Sequence, residues 1–494
     1  MKQKINLKVY NTLTRKIEKF RPINNKFIGI YNCGPSLKKL HTHIGNLRSY
    51  VLTDLIKRYF LYKGYKVKSV IKVTDVEDHC LKECMELGIS LKEYTQGLFK
   101  DFKSQLKTMN ILEPVLLPRV TDNIPEILNA IKKLSKKGLT YVSNGSVYLK
   151  VNKLKNYGKL VNPDKRMSLK KNAQRRIKDF VMDEKEDMYD FCLWKAYKPE
   201  TDGNVFWQSE YGKGRPGWHI ECSVISQKYL GKTFDIHSAG ISHIFPHHEN
   251  EMAIAEAITN KKFVNYWLHH DFVFVDGQKM SKKRGNFYML NDIIKNNYHP
   301  LVLRYVLLRT HFRSKLDFSW NSMQDARELL LKIVIFLNSL EYIKDKTPND
   351  LDINKRIAEA EKNFIDSIEN NFNMSESMKS LVYFIKSVNR DFEKLNINQA
   401  KKVKEFILKI DIILGCIKPL YEDYKKEMKN ILKKIESKNL FKKRILAKTE
   451  KNWKLSDDLK KQIEDYGLVV KDYGGSSQFY CELKSFKDLF IINH

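Results

Sequence analysis

The sequence predicts an α/β protein: a doubly wound parallel sheet that carries an insertion and is followed by a helical bundle and a small mixed segment. Three observations predict it. Short apolar runs alternate with helix-length stretches through the N-terminal part of the chain, the pattern of βαβ units. The alternation breaks off between about Thr121 and Tyr197 and then resumes. Beyond Ala326 long helical periods take over.

The elements follow in order. Phe27 to Asn32 is a short apolar strand that ends in the turn Cys33-Gly34-Pro35. A helix follows from Leu47 to Tyr62, broken by Gly64, and Val67 to Val73 alternates as a strand does. Doubly wound sheets bind ligands at the carboxyl ends of their strands. Cys33 and Thr74-Asp75 each stand at such an end. From Thr121 to Tyr197, helical segments are expected to mix with basic loops such as Asp164-Lys165-Arg166 and Gln174-Arg175-Arg176. Trp218 to Tyr229 then reads as a helix, Thr233 to His237 as a strand and His247 to Ile258 as a helix. Ala326 to Tyr342 and Ser375 to Leu395 read as bundle helices, the second with Asn373 as its N-cap. The expected segments are therefore 1–120 and 201–270 for the two halves of the sheet domain and 121–200 for the insertion. Residues 271–325 carry a lysine-rich loop, 326–430 form the bundle, and 431–494 make a basic, mixed C-terminal module.

The chain has 494 residues, too many for one compact core. No apolar run reaches the length of a membrane span, and Met1 to Asn6 lacks the core of a signal peptide. Seven scattered cysteines without framework spacing point to a reducing cytosol. The formal charge of +31 has two readings. It suits a polyanionic partner, and it is also what a Lys-, Asn- and Ile-rich composition produces as solvated decoration. Charge alone does not choose between them.

Three constellations carry chemistry. His43-Ile44-Gly45-Asn46 opens a helix just after a strand, where a glycine admits a nucleotide close to the backbone and the helix N-terminus faces phosphate. Lys279-Met280-Ser281-Lys282-Lys283 is a cationic loop suited to charge on a departing pyrophosphate. Either motif alone is weak, since His-x-Gly turns and lysine loops are common. The pair together points to ATP chemistry. The third constellation is Cys33, Cys222, His247 and Glu251. His247 and Glu251 share one helix face at i, i+4, as Trp218 and Cys222 do on another helix. Two thiolates, an imidazole and a carboxylate suit zinc. Cys80 and Cys84 beside His79 form a rival group, read as core packing because they have no distant partner.

These residues resemble the cysteinyl-tRNA synthetases, a family of class I aminoacyl-tRNA synthetases, over nearly the whole chain. Tyr31-Asn32-Cys33-Gly34-Pro35 resembles the family's first zinc-ligand segment, and Val73-Thr74-Asp75-Val76-Glu77-Asp78 a strand end that contacts the amino acid. Gly214-Arg215-Pro216-Gly217-Trp218-His219-Ile220-Glu221-Cys222-Ser223 and Phe245-Pro246-His247-His248-Glu249-Asn250-Glu251 are the most specific stretches. Tyr266 to His269 leads into the lysine loop as in the family. Asn371-Phe372-Asn373 resembles the start of its bundle, and Trp453 to Asp472 its terminal module.

The resemblance implies a Rossmann-like catalytic domain and one zinc ion held by Cys33, Cys222, His247 and Glu251, which takes the substrate thiolate as a further ligand. It implies that Gly34, Thr74 and Trp218 bind L-cysteine. His43, Gly45, Asn46 and Lys282 would contact ATP, brought in with Mg2+, and His43, Asn46, Lys279 and Lys282 would serve catalysis. It further implies tRNA(Cys) as partner, a connective insertion at 121–200, a stem-contact region at 271–325 and anticodon recognition at 431–494. A cytoplasmic monomer with no membrane partner is expected. The chain departs from the family at Leu37-Lys38-Lys39, Asn46, Lys72 (usually Asn), Lys283 and Ser242, where relatives usually carry an aspartate for the substrate ammonium. Two rival readings share the motifs: a ligase joining cysteine to an amino sugar, which would lack the long C-terminal region, and a non-catalytic RNA-binding paralogue, for which only Ser242 and Lys283 speak.

Overall fold

Four strands, each buried along most of its length, make the parallel sheet that organises this chain. The structure is a computed structural model that describes residues 3–24, 26–37, 42–113, 115–161, 185–281, 284–466, 468–472 and 479–483. An antiparallel pair, β1 (Lys8–Asn11) and β2 (Lys16–Lys19), opens it. Next come β3 (Ile28–Ser36), α1 (Ile44–Tyr62) and β4 (Val67–Thr74), a βαβ unit whose strands pair in parallel. α2 (Asp78–Leu87), α3 (Leu91–Thr108) and α4 (Ile124–Lys136) follow.

The insertion differs from its expected character. Four short antiparallel strands, β5 (Thr140–Ser143), β6 (Ser146–Leu149), β7 (Phe191–Ala196) and β8 (Gly214–Pro216), form a sheet in that order. The first hairpin turns on Asn144-Gly145, both with positive φ (46° and 76°), the residue pair that two-residue hairpins favour. The basic loops at 164–166 and 174–176 lie outside the described residues. The inner face of this sheet (Val147, Leu149, Leu193 and Trp194) shares one apolar core with Ile127 and Ile131 of α4.

After the insertion come α5 (Trp218–Leu230), β9 (Phe234–Gly240), α6 (Glu249–Thr259) and β10 (Val264–His270). The strand order is β10-β9-β3-β4, all parallel. Ile220, Val224 and Ile225 of α5 and Ile254 of α6 complete the insertion's core. The insertion is thus packed onto the helices of the sheet domain. Asn32 locks the centre of the layer: its buried amide donates to Ser49 and Thr53 on α1 and to the Ser238 carbonyl on β9. β11 (Val273–Val275), β12 (Gln278–Lys279) and β13 (Leu316–Phe318) make a separate three-stranded sheet.

The chain divides into two compact units. The first comprises Met1–Met289, Thr310–Asp317 and Ser367–Met374 and holds the parallel sheet. The second comprises Leu290–Arg309, Phe318–Asp366 and Ser375–His494 and is mostly helical. Its elements begin with α7 (Leu290–Lys295), α8 (Pro300–Arg309), α9 (Trp320–Ser339) and α10 (Ile353–Glu369, whose last turn belongs to the first unit). They continue with α11 (Met374–Arg390), α12 (Ile397–Leu414), α13 (Ile417–Ser437), α14 (Leu440–Thr449) and α15 (Trp453–Glu464), and end on the hairpin β14 (Leu468–Asp472) and β15 (Phe479–Leu483). α9 starts six residues before the expected Ala326, because Ser319 caps it and exchanges hydrogen bonds with Ser322. α13 runs unbroken through Ile431, so the rise in basic character there is not a break in secondary structure. Between α12 and α13, the buried Asp411 accepts from the backbone of Cys416, Ile417 and Lys418. Among the described residues, no helix is long and apolar enough to cross a membrane.

His299 gives the second unit a pH dependence. Its Nδ1 accepts from Leu301 N at 3.0 Å at the start of α8, with Asp423 at 3.7 Å from Nε2, and burial pushes the imidazole down to about 4. The unfolded chain takes up this proton near pH ~6.5, the folded chain only near 4. Stability from this group is therefore present above the unfolded value and lost as pH falls through that window, on the order of 3 kcal/mol. Urea unfolding followed by helical circular dichroism should show the midpoint falling with pH there, with a shallower slope in His299→Gln. Equal slopes would refute the assignment.

Candidate functional site

Both halves of the sheet domain send ligating side chains to one point. Cys33 stands near the end of β3, Cys222 in the first turns of α5, Glu251 in the first turn of α6, and His247 in the irregular turn before it. Their donor atoms all lie within 4.8 Å of one another. Cys33 Sγ is 3.8 Å from Cys222 Sγ and 3.3 Å from Glu251 Oε1. His247 Nε2 is 3.5 Å from Cys222 Sγ and 2.7 Å from Glu251 Oε1. Three of the four are buried and Cys33 is half-buried. The donor number and types fit a divalent-metal site.

The surroundings prepare these groups. Burial works against the Glu251 carboxylate, yet His247 and His237 hold it well below the usual range. Burial likewise opposes charge on His247, but Glu251 and Cys222 raise it to about 9. Desolvation and the neighbouring Cys222 push the Cys33 thiol well up; desolvation also opposes charge on Cys222, but its contact with Cys33, with Lys72 and His247 nearby, brings it well down. A metal ion entering here displaces protons from Cys33 and His247.

Two further histidines join the group, and the sequence reading did not select them. His237 Nε2 lies 3.0 Å from Glu251 Oε2, so it orients the second carboxylate oxygen. His248 Nε2 lies 3.5 Å from Cys33 Sγ, and its Nδ1 meets His269 Nε2 at 2.8 Å. His269 in turn meets Thr12 Oγ1. Cys33, His237, His248 and Glu251 form a second, overlapping group of potential ligands. The available signals were the place of His237 at the end of the strand expected over Thr233 to His237, which β9 carries on to Gly240, and the doubled His247-His248. His219 Nδ1 contacts His247 Nδ1 at 2.8 Å and fixes that ring from behind.

Trp218 stacks on His247 with centroids 4.0 Å apart and 14° between planes. The indole is 47% exposed and lines, with His219, Ser242, His269 and Asp271, a cavity of about 1910 Å³. Gly34 has no room for a side chain: a Cβ there would stand 1.7 Å from the Lys72 carbonyl oxygen. Thr74 is buried at the end of β4. Cys80 and Cys84 pack with Tyr94 in a small core, and Cys80 donates to the Leu37 carbonyl, so the rival group is structural as expected.

The two motifs expected to serve ATP also meet. His43 caps α1: its Nδ1 accepts from Gly45 N, and its backbone N–H donates to Asn46 Oδ1. A Cβ at Gly45 would lie 2.8 Å from the His43 ring and 3.4 Å from Met280 Cε, so the lysine loop begins against the capped turn. Ile44 N bonds the Tyr288 carbonyl, and Phe287 packs edge-on to His43. Lys279 ends β12, exposed, with Nζ 4.8 Å from the Phe272 ring centroid. Lys282 and Lys283 lie outside the described residues.

A family model of the class I (C) tRNA synthetase catalytic domain matches residues 19–328. A curated cysteine–tRNA ligase of Brachyspira hyodysenteriae is 40% identical over 465 residues, covering 94% of this chain and 97% of the relative. That of Chlamydia muridarum is 36% identical, covering 95% and 98%. The chain belongs to the cysteine–tRNA ligase family. The resemblance read from the sequence is borne out, and so is its class I assignment. Similarity across nearly the whole length, C-terminal region included, favours neither rival reading. The fold agrees with the LeuRS–tRNA–LeuAMS complex of Agrobacterium radiobacter K84 (TM-score 0.57, 11% identity, 81% of this chain and 85% of that one). It agrees equally with methionyl-tRNA synthetase of Mycobacterium tuberculosis bound to methionyl-adenylate (TM-score 0.55, 12% identity, 78% and 89%).

Elemental analysis of purified protein should find a divalent metal in the parent and lose it in Cys222→Ala. His237→Ala, which removes the hydrogen bond to Glu251, should weaken the metal roughly 10–100-fold; complete loss would mark His237 itself as a ligand. Parent metal content in Cys222→Ala would exclude Cys222 as a ligand and leave the overlapping group of Cys33, His237, His248 and Glu251 to hold the ion.

Proposed function

We propose that this chain charges tRNA(Cys) with L-cysteine in two steps at one site. The cysteine carboxylate attacks the α-phosphorus of ATP, forming cysteinyl adenylate and expelling pyrophosphate. The 3′-terminal ribose hydroxyl of the tRNA then attacks the acyl carbon and releases AMP. The observation that carries this reading is the meeting of Cys33, Cys222, His247 and Glu251 beside Trp218 at the carboxyl end of the parallel sheet.

The donor set suits one zinc ion per chain, which Cys33, Cys222, His247 and Glu251 would hold. Bound there, zinc would supply a soft centre that prefers a thiolate to a neutral hydroxyl. Gly34, Thr74 and Trp218 would bind the rest of the amino acid, Gly34 through its backbone. Because His43 Nδ1 accepts from Gly45 N, Nε2 carries the proton and would donate to the triphosphate. Asn46 gives its carbonyl oxygen to the His43 backbone, which leaves its amide hydrogens for the nucleotide. Gly45 gives ATP close access to the turn. Lys279 and Lys282 would neutralise the departing pyrophosphate, with Mg2+ shared by the phosphates. No covalent enzyme intermediate is needed; positioning and charge stabilisation carry the rate. Residues 431–494 would read the anticodon, 271–325 would contact the tRNA stem, and the net charge of +31 supports a polyanionic partner. We further propose a cytoplasmic monomer.

ATP–pyrophosphate exchange tests the reading. L-Cysteine should support exchange, with serine roughly 10⁴-fold less effective in kcat/KM. Comparable exchange with serine, or none with cysteine, would overturn it. Removing residues 439–494, beyond the end of α13, should reduce tRNA charging by at least about tenfold, on the order of 1.4 kcal/mol, and leave exchange nearly intact. Equal loss of both activities would argue against a separate recognition module.

A further inference from the structure

Lys72 is the cross-strand partner of Cys33 in the β3–β4 ladder, and Glu221 immediately precedes Cys222 on α5. Their side chains meet: Lys72 Nζ lies 2.7 Å from Glu221 Oε2, with 1% and 2% of the two side chains exposed. The same ammonium donates to Thr74 Oγ1 at 2.5 Å. One buried cation therefore joins the end of β4 to the first turn of α5. The Cys33–Cys222 contact of 3.8 Å joins β3 to that same turn. Two links cross one seam side by side.

A buried ion pair is a poor device for stability alone, because desolvation offsets the attraction and an apolar pair of equal volume often does as well or better. An apolar pair lacks two properties of this bridge. It puts no positive charge beside a cluster whose donors are thiolates and a carboxylate. It also leaves the Thr74 hydroxyl unoriented. An ammonium has only hydrogens to give, so Thr74 Oγ1 must accept from Lys72, and the hydroxyl hydrogen is turned elsewhere. Thr74 then keeps its hydroxyl hydrogen for another acceptor.

We propose that Lys72 is a positioning residue of the thiol site. Its buried ammonium, clamped by Glu221 and Thr74, offsets the negative charge of the Cys33–Cys222–Glu251 group and holds the first turn of α5 at the distance that lets both sulphurs share one ion. It also turns the Thr74 hydroxyl hydrogen towards the bound amino acid. This deepens the functional reading above and rests on it for the identity of that amino acid.

Paired substitution separates this role from a structural one. Lys72→Met alone leaves Glu221 buried without its cation and should lower the unfolding midpoint. Lys72→Met with Glu221→Leu removes both charges and should recover most of that loss. In this pair, zinc affinity of metal-free protein, read by competition with a chromophoric chelator, should still fall about tenfold or more. KM for cysteine in ATP–pyrophosphate exchange should rise by a similar factor, about tenfold, with kcat changed less. Lys72→Gln with Glu221→Gln keeps polar contact without charge and should show the same two losses; it decides the matter if the first pair does not fold. Parent zinc affinity, or parent KM for cysteine, in the folded pair overturns the proposal and makes the bridge structural. Failure of the unmutated protein to exchange with cysteine would sink the functional reading instead, and the zinc affinities would still judge Lys72.

Discussion

Every charge buried at the carboxyl end of the parallel sheet has to be answered by another group, and that requirement shapes the rest of the molecule. An ionised side chain left alone in such a place costs several kcal/mol. Glu251 is answered by His247 on one oxygen and His237 on the other. Glu221 is answered by Lys72. The two cysteines meet each other at 3.8 Å. These pairings join residues from β3, β4, α5, β9 and α6, so the two helices that follow the insertion must bring their first turns to the same spot. The close approach of Gly34 to the Lys72 carbonyl is the backbone side of that constraint. A Cβ there would push apart the two strands whose ends hold the cluster.

The convergence was legible because its members carry strong local signals. Cys33 follows an apolar strand, and His247 and Glu251 share a helix face. Their meeting rested on resemblance until the donor atoms were found within 4.8 Å. His237 and His248 were not selected, since a histidine ending a strand and one beside another histidine have many ordinary uses. The Lys72–Glu221 bridge was beyond a linear reading, because a lysine within a strand and a glutamate within a helix carry no mark of each other. The insertion was read as helix and loop because its strands are three to six residues long and its lysines dominate the eye. Ser143-Asn144-Gly145-Ser146 was the signal that could have exposed the hairpin. The long apolar periods mark the helices of this region, but α9 starts six residues before the expected Ala326 because a cap, not a period, sets where a helix begins.

The His43 turn shows structure and proposed chemistry resting on the same atoms. The bond from Gly45 N to His43 Nδ1 satisfies one of the donors that a helix N-terminus leaves unpaired. It also fixes which ring nitrogen keeps its hydrogen, and the helix dipole adds positive potential at the same place. A glycine is needed at position 45 for a steric reason independent of any ligand, since a Cβ would strike the capping ring. A short motif of this kind therefore earns its meaning from context. Here the context is Met280 and Phe287 packed against it from the lysine loop and the segment that follows.

The open edge of the pocket bears on how such a site would choose between cysteine and serine. Trp218 stacks on His247 yet keeps nearly half of its surface exposed, at 47%. A wall of that kind cannot exclude a side chain that differs by one atom and is the smaller of the two. Shape complementarity in an apolar pocket separates near-isosteres only weakly in any case. The hydrogen-bonding groups at the pocket floor do not help, since a hydroxyl bonds them at least as well as a thiol. What remains is the difference in softness and acidity between sulphur and oxygen. Only a centre bearing two sulphurs, an imidazole and a carboxylate is placed to read it. On the proposed reading, selectivity would reside in the electrostatics of the cluster, and the groups that set its charge would matter as much as those that touch the amino acid.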